Sequence, residues 1–279
     1  MELKMYKAAW GMPGGWEKRI KQISEAGYTG IETPMPSRAD ETLFRELLDQ
    51  YHLDLILQIY TGCEHNEKPY PDTAKEHTIS LETQMERAVT FKPVMINSQS
   101  AKDSMPYDEQ LAFYEQSIRI EQQAGIPIAH ETHRGRAMFT PWSTARLLRD
   151  LPDLHIAADF SHWCCVCESL LPDHAESLSL AAKHAIHIHG RVGYEQGPQV
   201  PDFRAPEYEY ALVQFERWWD EICEAHRSKG RPSVHFTPEF GPPGYMHTQL
   251  YTKQPVVDLW EICYAMGQRF RDRFTRKFI

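Results

Sequence analysis

Eight times along the chain a short strand-like run gives way to an amphipathic helix, and this alternation constrains the fold more than any other feature. Lys4–Trp10 is the first such run. The PGG that follows opens a helix with Trp16, Ile20 and Ile23 on one face, closed by Ala26-Gly27, and YTGIETP is the second strand. The Leu43/Leu47/Tyr51 helix, the strand LDLILQIYT, a helix near residues 74–90 and the strand PVMINSQS complete the first half. In the second half Leu111, Tyr114 and Ile118 share a helix face, IPIAHET follows, and a helix at Thr144–Asp150 leads into LHIAADFSHWCCVCE. A helix near Asp173–Lys183 precedes AIHIHGRVG. Leu212, Phe215, Trp219 and Ile222 mark the next helix, then comes SVHFTPEFG and a last helix from about Pro255 to Phe274.

Eight strands and eight helices in strict order, about 35 residues per unit, predict an α/β chain forming one (β/α)8 TIM barrel domain over residues 1–279. The competing arrangement is an open doubly wound sheet, which carries a glycine-rich phosphate turn after its first strand. Here that turn reads WGMPGGW and does not fit GxGxxG.

Composition narrows the partners. A net charge of −9 opposes binding to nucleic-acid phosphates. No apolar run approaches the length of a membrane span. The start, MELKMYKAAWGMPGGW, lacks a secretory pattern, so the six cysteines point to a reducing cytoplasm. No CxxC pair repeats, which argues against a structural zinc module. Cys164, Cys165 and Cys167 read as small hydrophobes packed under the following helix.

Barrel enzymes carry their chemistry at the C-terminal ends of the strands. Strand five ends HETHR, strand six ADFSH, strand seven HIHGR and strand eight TPEFG, which places Glu131, Asp159, His189 and Glu239 around one mouth. Three carboxylates converging there would repel one another and raise their pKa values; a divalent cation removes that conflict. Three oxygen donors and one imidazole suit Mn²⁺ or Mg²⁺, with Zn²⁺ and Co²⁺ as alternatives. An acid at one strand end is commonly a helix cap or a solvated rim charge. Four on successive strands, beside His133, Arg134, His162 and Arg191, favour a metal site over a salt-bridge network. Strand alternation puts His133 on the side of Glu131, and His187 on the side of His189 but one layer deeper, closer to a satisfied core histidine. His130 faces the helices and His235 lies deep in the barrel. Two long loops, GRVGYEQGPQVPDFRAPEY and GPPGYMHTQLYTKQP, lie on the face of the three acids and the histidine and read as functional lids.

With these residues in place the chain resembles the xylose isomerase-like barrel superfamily, which holds sugar and sugar-phosphate isomerases and epimerases. The carriers are GYTGIE in strand two, the Glu of HETHR, the D-x-x-H of DFSH, the HIH of strand seven and the Glu of TPEFG. The resemblance implies one divalent ion, usually Mn²⁺, held by Glu131, Asp159, His189 and Glu239, with His162 as a substrate contact. It implies a divalent-metal-dependent isomerase or epimerase acting on a ketose or keto-sugar through an enediolate. Glu131 and Glu239 would then serve as acid and base on opposite sides of the metal. Arg134 and Arg191 would hold an oxyanion, carboxylate or phosphate, with a surface ion pair as their competing role. His133 and His162 would orient hydroxyls, and His187 is carried as a further candidate substrate contact. HGRVGYEQGPQVPDFRAPEY departs from the epimerase pattern. Related barrels with the same metal site include lyases that cleave keto-glycosides, so a metal-dependent lyase or hydrolase stays open, as does a non-catalytic sugar-binding barrel. Apurinic-site endonucleases also share the superfamily, but they need histidines on strands three and four, where this chain has LQIYT and INSQS, with Gln99 in a histidine's place. The partners expected are a small-molecule carbohydrate and further copies of the chain, as a homodimer or homotetramer, without nucleic acid or membrane.

Overall fold

The computed structural model describes residues 1–63 and 68–279. Eight parallel strands close a barrel in chain order: β1 (Glu2–Ala8), β2 (Gly30–Pro34), β3 (Asp54–Tyr60), β4 (Met95–Gln99), β5 (Ile128–Glu131), β6 (His155–Ala158), β7 (Ala185–His189) and β8 (Ser233–Thr237). β1 closes the ring on β8 in parallel register, Glu2 opposite Ser233 through Met5 opposite Phe236. Strands covered on both faces are apolar almost throughout, as the buried centre of DLILQIY in β3 shows.

Tyr6, Ile56, Met95, Ala129 and Ala157 fill the barrel interior, while a larger apolar shell lies between strands and helices. Local signals start many of the helices: α1 (Trp16–Glu25), α2 (Glu41–Tyr51), α3 (Ala74–Ala88), α4 (Tyr107–Ala124) and α5 (Pro141–Asp150). Thr73 caps α3 by accepting from the Glu76 N–H, and its hydroxyl donates to the Glu76 carboxylate. Thr140 caps α5, whose first residue is Pro141.

The expected count of eight helices is corrected to nine among the described residues. Between β6 and β7 the chain forms both α6 (Phe160–Cys167) and α7 (Ala175–His184), before α8 (Glu209–Ser228) and α9 (Leu259–Phe278). The three cysteines are themselves part of a helix, α6, with Cys164 buried. His162 likewise sits on the first turn of α6 rather than in a loop. Phe160, Trp163 and Cys164 form the inner face of α6, and Phe160 stacks on Trp163 at 4.7 Å. All six cysteines are free thiols. Among the described residues no helix is long and apolar enough to cross a membrane.

The long connections after β7 and β8 are tied together. The Gln199 amide donates to the Gly241 carbonyl at 3.3 Å and accepts from the Gly241 N–H at 2.7 Å. Both connections thus stand as one wall beside the barrel mouth.

Candidate metal centre

Glu131 is the last residue of β5 and His189 the last of β7; Asp159 follows β6 directly and Glu239 lies just past β8. All four are buried, and each offers a ligand atom within 4.8 Å of the other three. His189 Nδ1 is 3.0 Å from Glu239 Oε2, 3.8 Å from Glu131 Oε1 and 3.9 Å from Asp159 Oδ2. Gly190 makes the adjoining turn possible, since a Cβ there would sit 2.1 Å from the Phe236 ring.

What aims His189 is Glu32, a fully buried acid in the middle of β2 that the reading of strand ends did not single out. Its Oε1 accepts from His189 Nε2 at 3.0 Å, Asn97 Nδ2 at 2.9 Å and Gln58 Nε2 at 3.2 Å. Its Oε2 accepts from Thr237 Oγ1 at 2.6 Å and His187 Nε2 at 3.0 Å. Burial alone would raise the Glu32 pKa, but His189 and His187 outweigh it and hold the carboxyl well below its usual range. An ionised Glu32 keeps a proton of His189 on Nε2, so Nδ1 is the nitrogen turned toward the three carboxylates and the one a cation would take. This carboxylate–histidine pair is the arrangement that presets an imidazole for a metal. The signal for Glu32 was present in GYTGIE: two inward histidines on β7 call for a buried acid facing them.

Glu131 is also held in place. Its Oε2 accepts from Asn97 Nδ2 and Gln99 Nε2, each at 3.1 Å, leaving Oε1 toward His189. Burial, with the Glu239 and Asp159 carboxylates, pushes Glu131 up to about 7 although His189 opposes the shift. Burial would lower His189, but Glu239 and Glu32 hold it well above the usual imidazole value. The protein alone thus leaves crowded carboxylates and a ring nitrogen facing one another. The donor set of three carboxylates and one imidazole fits a hard to borderline divalent cation.

Asp159 caps α6 through the Ser161 N–H at 3.1 Å, and its other oxygen pairs with Arg191. Arg191 is itself buried; its Nη2 lies 3.3 Å from Glu239 Oε2 and 3.1 Å from His162 Nε2, and its Nε donates to Ser161 Oγ. The His162 ring lies 3.9 Å from that of His133, centroid to centroid, and the Tyr245 hydroxyl is 3.5 Å from His133 Nε2. Arg191, His133, Glu131 and Glu239 share a cavity of about 1160 Å³ at the barrel mouth. Three expected contacts, His162, Arg134 and His187, are not among the residues lining that cavity, and His162 is fully buried. Arg134 is exposed, with its guanidinium 5.1 Å from the centre of the Tyr245 ring. His187 is buried one layer below, occupied by Glu32 and Thr237. Gln58, Tyr60, Gln99, Tyr245 and Trp10 line the cavity instead, neutral residues that carry no charge pattern in the sequence.

Residues 20–225 match the family described as xylose isomerase-like TIM barrel. Among solved structures the chain is similar to a xylose isomerase-like TIM barrel protein from Mycobacterium smegmatis in complex with magnesium, at 12% identity and TM-score 0.64, over 99% of this chain and 97% of that one. It is similar to the probable 3-DHS dehydratase AsbF of Bacillus anthracis, at 16% identity and TM-score 0.60, over 98% and 100%. A sugar phosphate isomerase/epimerase from Parabacteroides distasonis matches at 12% identity and TM-score 0.59, over 97% and 94%. At these identities the likeness is one of fold. Chitin synthase D of Aspergillus fumigatus is 32% identical over 102 residues, which is 33% of this chain and 13% of that protein.

Proposed function

Because this chain belongs to the xylose isomerase-like TIM barrel family, we propose that it is a divalent-metal-dependent isomerase or epimerase of a ketose or keto-sugar, acting through an enediolate. The observation that carries this reading is His189, whose Nε2 is committed to Glu32 while Nδ1 faces Glu131, Asp159 and Glu239. A magnesium complex and a sugar phosphate isomerase/epimerase among the structures of like fold support it. Glu131, Asp159, His189 and Glu239 would hold the ion, Mn²⁺ by preference with Mg²⁺, Zn²⁺ or Co²⁺ as alternatives. When bound, such an ion supplies positive charge that offsets an oxyanion on the substrate.

The protein groups do the rest. Glu131 and Glu239 border the cavity and move the proton at the carbon beside the carbonyl, one as base and the other as acid. Arg191 Nη1 is buried with no hydrogen-bond partner among the described residues, and it is the donor left for a substrate oxygen. His133 borders the cavity and its Nε2 accepts from a substrate hydroxyl, while His162 stands behind it with its ring 3.9 Å away.

A second reading, a metal-dependent lyase or hydrolase of a keto-glycoside, is favoured by cavity size. About 1160 Å³ exceeds the roughly 300–1,000 Å³ of ordinary small-molecule sites. Trp10, Trp16 and Met35 also line the cavity, apolar surface that suits a second ring.

The test is a screen of ketoses and 3-keto glycosides with the metal-loaded protein in deuterated buffer, read by NMR. Metal-dependent deuterium at the carbon beside the carbonyl, with isomer formation, is the expected result. Glu131→Gln and Glu239→Gln should each lower turnover by about 10²–10⁴-fold. A Glu239→Gln variant with near-normal turnover defeats the acid/base assignment and moves the lyase or hydrolase reading ahead. Sugar binding without turnover would mark a non-catalytic barrel.

A further inference from the structure

Another cavity, of about 240 Å³, lies at the end of the barrel opposite the mouth, where β6, β7 and β8 begin. Lys183, His184, Lys229 and Arg231 line it. We propose that this pocket binds a phosphate oxyanion, either the free ion or the end of a phosphomonoester. The inference goes beyond the proposed function and uses no residue of the candidate metal centre.

Part of this charge has a simple origin. Lys183 and His184 close α7 and Lys229 follows α8, and cations at helix C-termini offset the helix dipole. Arg231 is not explained in that way. It lies beyond the turn after α8, half-buried, just before β8. Its Nη1 donates to the Ala185 carbonyl at 2.9 Å and meets His226 Nε2 at 3.1 Å, while its Nε and Nη2 have no hydrogen-bond partner among the described residues. A planar fork with one arm anchored and two donors free suits two oxygens of one phosphate.

The cations also lack carboxylate partners. None of Lys183, Lys229 and Arg231 makes an ion pair among the described residues. Of the two carboxylates in the lining, Glu121 is occupied by the Ile128 N–H at 3.1 Å and by His155 Nδ1 at 3.0 Å, and Asp153 is exposed and unpaired among the described residues. Lys229 Nζ donates to the Lys183 carbonyl at 2.6 Å. Burial, with Arg231 and Lys183 nearby, lowers the Lys229 pKa, and burial lowers that of Arg231. Like charges gathered in this way are relieved by an anion. His184 adds selectivity. Its Nδ1 donates to the Leu154 carbonyl at 2.8 Å, and burial, helped by Lys229, holds its pKa below the usual value, so the neutral ring offers Nε2 as an acceptor. Phosphate near neutral pH keeps a proton on one oxygen and can donate it there, whereas sulfate has none to give.

The probe is inorganic phosphate, titrated calorimetrically into the full chain at about 0.15 M chloride, where loose surface attraction is screened. A saturable site is expected, with sulfate binding more weakly. Arg231→Gln should weaken phosphate by about 10-fold or more. The double variant Lys183→Ala/Lys229→Ala should weaken it by about 10-fold; both side chains are exposed, so it keeps the test valid if the Arg231 variant fails to fold. Glycerol 3-phosphate distinguishes the two sources. Binding tighter than that of phosphate assigns the pocket to a phosphomonoester, and equal or weaker binding assigns it to the free ion. Absence of saturable phosphate binding up to about 10 mM overturns the proposal. Binding unchanged in the variants also overturns it, by placing the anion elsewhere. So does equal affinity for sulfate, since the pocket would then recognise charge alone.

Discussion

Glu32→Gln replaces one oxygen of the buried acid with an amide that cannot accept, so either His189 or the His187–Thr237 pair loses its acceptor. The His189 proton is then no longer fixed on Nε2. Metal affinity should fall by about 10–100-fold, as when the outer partner of a ligating histidine is lost. Competition with a fluorescent chelator measures this, and unchanged affinity would refute the role given to Glu32. The four residues facing the centre were legible because each is a charged or imidazole side chain at a strand end. Glu32 was passed over because it stands in mid-strand, away from the strand ends, and its signal lay only in the pairing with two inward histidines of β7. Asn97 and Gln99 were illegible for another reason: they position Glu131 as neutral donors, and nothing in composition or periodicity marks an amide as occupied. His187 shows the converse. Strand alternation placed it a layer below His189, and there it serves Glu32.

At the level of elements, β5 and α4 share a titratable group. His130 points outward from β5, bonded to Ser100 Oγ at 2.6 Å and Ser117 Oγ at 2.8 Å, with its ring edge-on to Tyr114. Burial drives its pKa down to about 3. An unfolded histidine titrates near 6.5, so the unfolded chain binds the extra proton first as pH falls. The stability that neutral His130 contributes is therefore present above about pH 6.5 and lost below it, by about 1.4 kcal/mol per pH unit toward pH 3. Urea melts of His130→Gln between about pH 7.5 and 5 should show a shallower acid dependence than the wild type, by one proton. Equal slopes would mean that His130 protonates in the folded chain. The alternation of β-branched and amphipathic runs made β5, α4 and most other elements readable. Helix α6 was missed because FSHWCCVC is too short for a helical period and its cysteines carry no amphipathic signal. Its start is set by a tertiary demand, since Asp159 both caps the helix and faces His189.

For the molecule as a whole, a cation at the mouth would join β5, β6, β7 and β8 and bind the native chain alone. Native-only binding stabilises by about 2.7 kcal/mol at a hundredfold excess over Kd. For a chain of this size that corresponds to a rise in Tm of roughly 5 °C. Thermal melts with and without chelator test this, and identical curves would exclude an ion from the folded state. The barrel itself was the most legible level, because eight repeats of one pattern tolerate an error in any single element. The closure of β1 on β8 joins opposite ends of the sequence. During translation Glu131, Asp159 and His189 leave the ribosome before Glu239 and before the strand that completes the ring. A nascent chain therefore carries an open sheet edge and an unfinished donor set until its last part emerges. Premature termination before β8 would release a product with neither ring nor ion, so synthesis yields this centre whole or not at all.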